Sequence, residues 1–428
     1  MTTVAQITDA LQGYDPQSVK VDDVVHIAQS LVKPLGNLPQ DIEVLKLHAA
    51  AYRVLAQDVV SPTNVPALDN SAMDGYAFCL NAGQVSQDLA LTVSGLRLAG
   101  QPITGDDPTL QAGHCVHIMT GAPMPKGSNT VVPSELVQRD GDRVVVQAAH
   151  LQPGDNRRLA GEDLAQGSVA LKKGQVLHAA ALGLLASLGM ATVGVVRKPV
   201  VAYFSTGSEV QDVGLPPKAG VIYDSNRAVM CAMLASWGAT VLDMGVIPDD
   251  PVQLEQAFEQ AATTADMVIS SGGVSVGEAD HTKAMMKRLG DVVFWRIAMR
   301  PGRPMAVGLI KDTPVFGLPG NPVAVMVTFL AFVRPALQRL MGTTPSALPV
   351  LRAKASADIR KRGGRTEYQR ASIERNDQGD YVATVLPNQG SGVLSGMVQA
   401  QGLVVLSHDS GTVSAGDWVD VWMLDRFI

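Results

Sequence analysis

The sequence predicts a multidomain α/β plus β protein: a central parallel α/β sheet domain, a β-rich inserted domain, a helical or mixed amino-terminal domain and a carboxy-terminal β-barrel. Three observations carry this expectation. The apolar period changes several times along 428 residues, a length that at roughly 100–200 residues per domain implies two to four domains. From Pro199 onward, short β-branched runs alternate with helical stretches, the pattern of a sheet covered on both faces. The last eighty or so residues lack a convincing helix and are rich in Gly and Val.

Composition narrows the class. Hydrophobic residues are 46% and charged residues 17% of the chain, with 41 Gly and 25 Pro, which describes a folded protein with many tight turns rather than disorder, collagen or coiled coil. Cys79, Cys115 and Cys231 lie far apart without ligand spacing, so neither a disulfide framework nor a structural zinc site is expected. A net charge of −6 disfavours a duplex-DNA partner, because such binders need positive potential to displace counterions. The first residues, MTTVAQITDALQGYDPQ, lack a basic region followed by an apolar run, so a cytoplasmic location is expected. Residues 176–196 and 313–333 are uncharged or nearly so, but internal glycines in the first and prolines in the second argue against membrane spans.

In chain order, residues 20–60 read as two helices split by Pro34 and a turn (HIAQSLVKPLG, then EVLKLHAAAYRVLAQDV). Residues 61–150 turn to short alternating runs such as LALTVSGL, CVHIMTG and DRVVVQAA, a β-rich unit inserted before the mixed segment 151–197. The resulting boundaries are 1–60 with 151–197, 61–150, 198–346 and 347–428. VVAYFS, ATVLDMGVI and ADMVISSGG read as successive strands, with NRAVMCAMLASWG and PVQLEQAFEQAA as helices between them. Asp250 caps the second helix and Pro251 opens it. Ligands of such sheets bind at the carboxyl ends of the strands, so the loops after Ser205, Gly245 and Ser271 should share one rim.

The segment SSGGVSVGEADH, residues 270–281, delivers a strand into a glycine-rich loop before a helix. Its bare N–H groups suit a phosphate. It is neither a Walker loop nor a dinucleotide fingerprint. Asp280 there is either a helix cap or a ligand for a divalent cation. GLPGNP, residues 317–322, is explained by capping through Asn321 and Pro322 without any ligand. Arg296, Arg300 and Arg303 around rigid prolines suit an oxyanion, since guanidinium stays charged and binds oxygens in a planar fork. Residues 352–375 carry eight Arg or Lys against three acids, either a solvated strand face or an anion patch. Asp69 and Asp74 share a turn, and no histidine shows triad or metalloprotease spacing.

Taken together, PALDNSAMDGYA, VHIMTGAPMP, RRLAGEDL, FSTGSEV, YDSNR, VIPDDP, ISSGGVSVGEADHTK, RPGRPMAVG and FGLPGNPV resemble the molybdopterin molybdenumtransferase family, which shares its large domain with the catalytic half of gephyrin. The resemblance implies a molybdopterin-binding type of α/β domain and Mg²⁺-dependent insertion of molybdate into adenylylated molybdopterin with release of AMP. It implies catalytic roles for Asp74, Thr120, Asp163, Glu209, Asp249, Asp280, Pro319 and Pro322, with Glu209, Asp249 and Asp280 around Mg²⁺. Ser271, Gly272, Gly273, Ser275 and Gly277 would cradle phosphates, while Arg296, Arg300, Arg303, Arg370 and Ser391 would hold cofactor or molybdate.

A homodimer with its active site between subunits is implied too, with the adenylyltransferase and recipient molybdoenzymes as further partners. Two features depart from the family pattern: arginines replace frequent lysines at 296, 300 and 303, and Ser208 stands where aspartate is common. A gephyrin-like scaffold and a tungstate-selective paralogue remain open alternatives.

Overall fold

The computed structural model describes residues 4–9, 15–81, 83, 87–273 and 281–424. Its contacts separate two compact units, Leu45–Ala51 with Gln57–Val193, and Met1–Val44 with Tyr52–Ala56 and Gly194–Ile428.

The smaller unit is built on a six-stranded sheet in the order Thr130–Pro133, Gly75–Phe78, His114–Ile118, Leu89–Arg97, Arg143–Val146, Val137–Asp140. Alternation along each strand sends successive residues to opposite faces. Phe78, Cys115 and Val144 therefore fill one core, while Ala77, Ile118 and Val131 fill another. Burial pushes the Cys115 thiol up to about 11, which leaves it a neutral packing group. The helix Ala179–Ser187 buries Leu185 and stops before Gly189.

The second helix expected within residues 20–60 does not form. Ile42–Lys46 is a strand and Leu47–Ala49 a short 3₁₀ turn. The alanine-rich segment has helical propensity, but the Leu47 N–H bonds to the Ala191 carbonyl at 3.3 Å. Tertiary pairing overrides propensity here.

In the larger unit, α1 (Val21–Ser30) packs Val24, Ile27 and Ala28 into the main core. The α/β region follows as β1 (Val200–Thr206), α2 (Ser225–Ser236), β2 (Thr240–Ile247), α3 (Pro251–Thr264), β3 (Met267–Ser271), α4 (His281–Leu289), β4 (Gly290–Arg296), β5 (Pro304–Ile310), β6 (Thr313–Leu318) and the long helix α5 (Pro322–Leu340). The sheet order is β2-β1-β3-β6-β5-β4. Its first four strands are parallel, as the alternating pattern predicts, whereas β5 and β4 add an antiparallel edge, β5 joined to β6 by the two-residue turn Lys311-Asp312 and β4 to β5 by the loop 297–303.

Both faces are covered. Val201, Tyr203 and Ile269 share a core with Met230 of α2 and Val325 of α5, while Ala202, Phe204 and Val268 pack with Phe258 of α3 and Met286 of α4. Two-sided burial explains why these strands are continuously apolar. Among the described residues α5 is the one helix long and apolar enough to cross a membrane, and it is mostly buried in protein. Arg197 ties the entry of β1 to Asp266 through two bonds of 2.7 and 2.6 Å, with Asp41 at 3.4 Å beside it.

The carboxy-terminal strands β7 (Val350–Ala355), β8 (Thr366–Arg375), β9 (Tyr381–Val385), β10 (Gly402–Leu406) and β11 (Trp418–Met423) pair in a closed ring around Ala353, Ala371, Val404 and Val421. Met299 and Arg300 pair with Thr366 and Glu367 at the start of β8. That pairing fixes the Arg300 loop against the barrel.

Phe316, fully buried in β6 at the sheet centre, tests this packing. Phe316→Ala should lower the urea-unfolding free energy of the larger unit by roughly 3–5 kcal/mol, the usual cost of such a cavity.

Candidate functional site

A cleft of about 810 Å³ opens where β1, β3 and β6 end. Three strand ends supply its floor: Ser205 and Thr206, then Ser271 to Gly273, then Pro319 to Asn321. One wall comes from Asp224 to Asn226 at the start of α2, and the opposite wall from Arg300 to Pro304 with barrel residues Arg365 and Gln389 to Ser391.

The floor is bare backbone by necessity. Gly272 has φ +89° and a Cβ there would lie 2.4 Å from the Thr206 carbonyl oxygen; at Gly273, φ +60°, it would lie 2.3 Å from Thr282 Oγ1. Neither position tolerates another residue without displacing the neighbouring chain. Beneath the floor, the Tyr203 hydroxyl sits 2.7 Å from Ser271 Oγ and 2.9 Å from Ser205 Oγ, locking two strand ends together. Burial raises the Tyr203 pKa, so it stays a neutral hydrogen-bonding group.

Asn321 occupies the N-cap position of α5, but its side chain makes no cap bond. Instead its Nδ2 donates to Ser391 Oγ at 3.0 Å, and the Val323 N–H donates to the Ser391 carbonyl at 3.1 Å. The barrel loop therefore supplies the cap that the sequence assigned to Asn321.

Behind that loop, Arg370 is 1% exposed. It donates to the Val393, Asn388 and Gly390 carbonyls at 2.8, 2.8 and 3.0 Å, and burial lowers its pKa. Arg370 thus shapes the loop that presents Ser391 and does not itself line the cleft.

Of the residues singled out from sequence, the cleft gathers Glu209, Ser271, Gly272, Gly273, Arg300, Arg303, Pro319, Pro322 and Ser391. Arg296 stands apart: its backbone N–H and carbonyl bond to Pro16 and Val19. Asp249 lies just past the end of β2, also off the cleft lining, with Oδ1 buried and without a partner among the described residues. Ser275, Gly277 and Asp280 fall outside the described residues.

Asp74, Thr120 and Asp163 belong to the smaller unit. Asp74 Oδ1 accepts both the N–H and the hydroxyl of Thr120 at 2.7 Å, and the Thr120 side chain, then its N–H, holds the carboxyl below its usual 3.8. Asp163 is exposed in a turn, its N–H bonded to the Val65 carbonyl at 3.1 Å.

Among the described residues, no three carboxylate, imidazole or thiol groups gather as a metal cage. Of the three acids that the resemblance places around Mg²⁺, Glu209 lines the cleft, Asp249 does not, and Asp280 lies outside the described residues.

The basic run 352–375 divides between both of its readings. Arg352 and Lys354 pair with Asp420 and Asp380 on the barrel exterior. Arg365 lines the main cleft, and Arg360, Lys361 and Arg362 line an adjoining groove of about 640 Å³ that shares Arg300. Asp224 and Asn226 carry no individual role in the sequence reading; their signal is the polar run YDSNR at the start of α2.

Three family descriptions match in succession: "MoeA N-terminal region (domain I and II)" over residues 19–189, "Probable molybdopterin binding domain" over 202–339 and "MoeA C-terminal region (domain IV)" over 352–424. A Haemophilus influenzae protein named molybdopterin molybdenumtransferase is 41% identical over 90% of this chain and 94% of its own length. A Bacillus subtilis protein of the same name is 33% identical over 90% of each. Gephyrin of Dictyostelium discoideum is 30% identical over 95% of this chain and 62% of its own. The crystal structure of a molybdopterin biosynthesis MoeA protein from Pyrococcus horikoshii OT3 superposes with a TM-score of 0.80 at 27% identity, covering 95% of this chain and all of that one.

The Asp74 contacts set a pH expectation. A depressed carboxyl contributes stability above its unfolded pKa and loses it as pH falls through the lower folded value. Thr120→Ala should move the Asp74 carboxyl resonance titration upward toward 3.8, followed by carboxyl-carbon NMR.

Proposed function

The chain belongs to the molybdopterin molybdenumtransferase family and is a transferase of molybdenum cofactor biosynthesis; we propose that its reaction is insertion of molybdate into adenylylated molybdopterin, with release of AMP. The observation that supports this most is the joining, in one cleft, of Arg300 and Arg303 with the bare strand ends at Gly272 and Gly273 and with Ser391.

The chemistry demands such a site. A molybdate oxygen approaching the adenylyl phosphorus brings two anions together, and their repulsion must be offset by charges and dipoles fixed beforehand. Arg300 and Arg303 bind the oxyanion through guanidinium forks. Backbone N–H groups at the end of β3 receive phosphate oxygens. Ser391, held by Asn321 and by the Arg370-braced loop, orients molybdate beside the arginines. Mg²⁺, bound through Glu209, Asp249 and Asp280, would supply further positive charge to the pyrophosphate. No protein nucleophile is required, and positioning provides much of the rate.

The same proposal covers what the family resemblance implies for assembly. The protein acts in the cytoplasm as a homodimer, with Asp74, Thr120 and Asp163 of one subunit completing the partner subunit's cleft. Its domains follow the four-part division 1–60 with 151–197, 61–150, 198–346 and 347–428.

Reconstitution of an apo-molybdoenzyme from purified protein, adenylylated molybdopterin, Mg²⁺ and molybdate, with tungstate in parallel, is the test. Activity should appear with molybdate and vanish without this protein; no activity above the protein-free control contradicts the proposal. Arg300→Ala and Arg303→Ala should each raise the molybdate concentration for half-maximal reconstitution by about tenfold, the scale of losing 1.4 kcal/mol. Asp280→Ala should lower the rate by about 10²-fold, the scale of removing one preorganised electrostatic group, while unfolding stays unchanged.

A further inference from the structure

Two residues that line the cleft each carry a buried side-chain oxygen with no partner among the described residues. Asp224 is the N-cap of α2 and is 5% exposed; its Oδ1 accepts the Arg227 N–H at 2.9 Å, and its Oδ2 is buried with no partner among the described residues. Two positions on, Asn226 is 9% exposed, and its Nδ2 donates to the Gly320 carbonyl at 2.8 Å. That bond leaves Asn226 Oδ1 as the free atom, also buried and unpartnered. Both residues line the cleft.

A buried acceptor without a donor costs on the order of 1–3 kcal/mol. The two lie two residues apart in the first turn of α2, and a ligand that brings an N–H donor to each would relieve both. A cation suits the place poorly, because α2 is a twelve-residue helix whose amino end carries positive potential. Neutral N–H donors meet no such penalty. Tyr223 lines the same wall and its hydroxyl is tied to the Leu215 carbonyl at 2.7 Å, so an aromatic ring is held beside the acceptors.

Resting on the transferase reading, we infer that Asp224 and Asn226 form the subsite that recognises the pterin, accepting the amino and ring N–H donors of its 2-amino-4-oxopyrimidine edge. The cleft is then two-sided. Arginines receive the anionic end of the substrate, and two orphan acceptors receive the heterocyclic end. Such a pair also explains selectivity, since a ring presenting a carbonyl where the pterin has an amino group would face two oxygens with a third.

The test measures binding to the full chain by anaerobic titration calorimetry, with adenylylated molybdopterin, AMP and Mg²⁺ as separate probes. Asp224→Asn keeps a capping side chain and replaces one acceptor; Asp224→Ser keeps a cap and withdraws it; Asn226→Leu removes the second. Each should weaken adenylylated molybdopterin at least tenfold and leave AMP and Mg²⁺ within twofold. Equal loss of AMP would assign the pair to the nucleotide, and selective loss of Mg²⁺ to a cation; either overturns the inference, as does unchanged binding of all three.

The unmodified protein gives an independent reading free of folding effects. It should bind 2-amino-4-oxopteridine more tightly than 2,4-dioxopteridine, and the reverse order would overturn the inference. If the parent binds adenylylated molybdopterin and the variants match it, this subsite alone is wrong. If the parent binds no pterin compound, the transferase reading falls with it.

Discussion

The structure depends on how closely three strand ends approach at the floor of the cleft. The Thr206 carbonyl, Gly272 and Gly320 come together with no room for a side chain at Gly272, and the hydroxyls of Tyr203, Ser205 and Ser271 lock the arrangement from below. A parallel sheet places such ends on one rim. The arginine loop and the barrel residues Arg365 and Ser391 line the same cleft as that rim. A floor of bare backbone lets anionic oxygens approach closely, which a floor of side chains would prevent.

Around it, the α/β region and the barrel divide the work of positioning. Arg300 is placed by the pairing of Met299 and Arg300 with the start of β8, and Ser391 by a loop whose carbonyls converge on a buried guanidinium. Arg370 is solvated by protein carbonyls instead of water, an arrangement that fixes a loop geometrically at the cost of desolvating a charge. The seam between barrel and sheet is therefore a built structure. Arginine in place of the lysines frequent in the family suits it, because a planar fork holds an oxygen pair in a defined orientation.

Much of this was legible in the sequence where local rules and burial agree. The alternation after Pro199 predicted a parallel sheet with three successive strands and the helices between them, and Asp250 caps α3 as its position before Pro251 implies, accepting the Gln253 N–H at 3.0 Å. The closed barrel follows from short Val-rich runs and glycine turns.

What was not legible depends on distant partners. The segment after Ile42 has helical composition but pairs with residues near 191, and Asn321 gives up its cap bond for Ser391, seventy residues away. Arg370 and Arg365 lie in one basic run and cannot be told apart by spacing. The fold buries the first and opens the second to the cleft. Asp224 looks like an ordinary helix cap, and only its burial shows that half of its carboxylate is unused.

The central claim is that a metal oxyanion is held where the arginine loop meets the barrel. Anomalous diffraction at the molybdenum edge from crystals soaked in molybdate tests it most directly. The account predicts one dominant peak within hydrogen-bonding reach of Arg300, Arg303 and Ser391, lost in the Arg300→Ala variant. A dominant peak elsewhere, with that pocket empty at saturating molybdate, would contradict it.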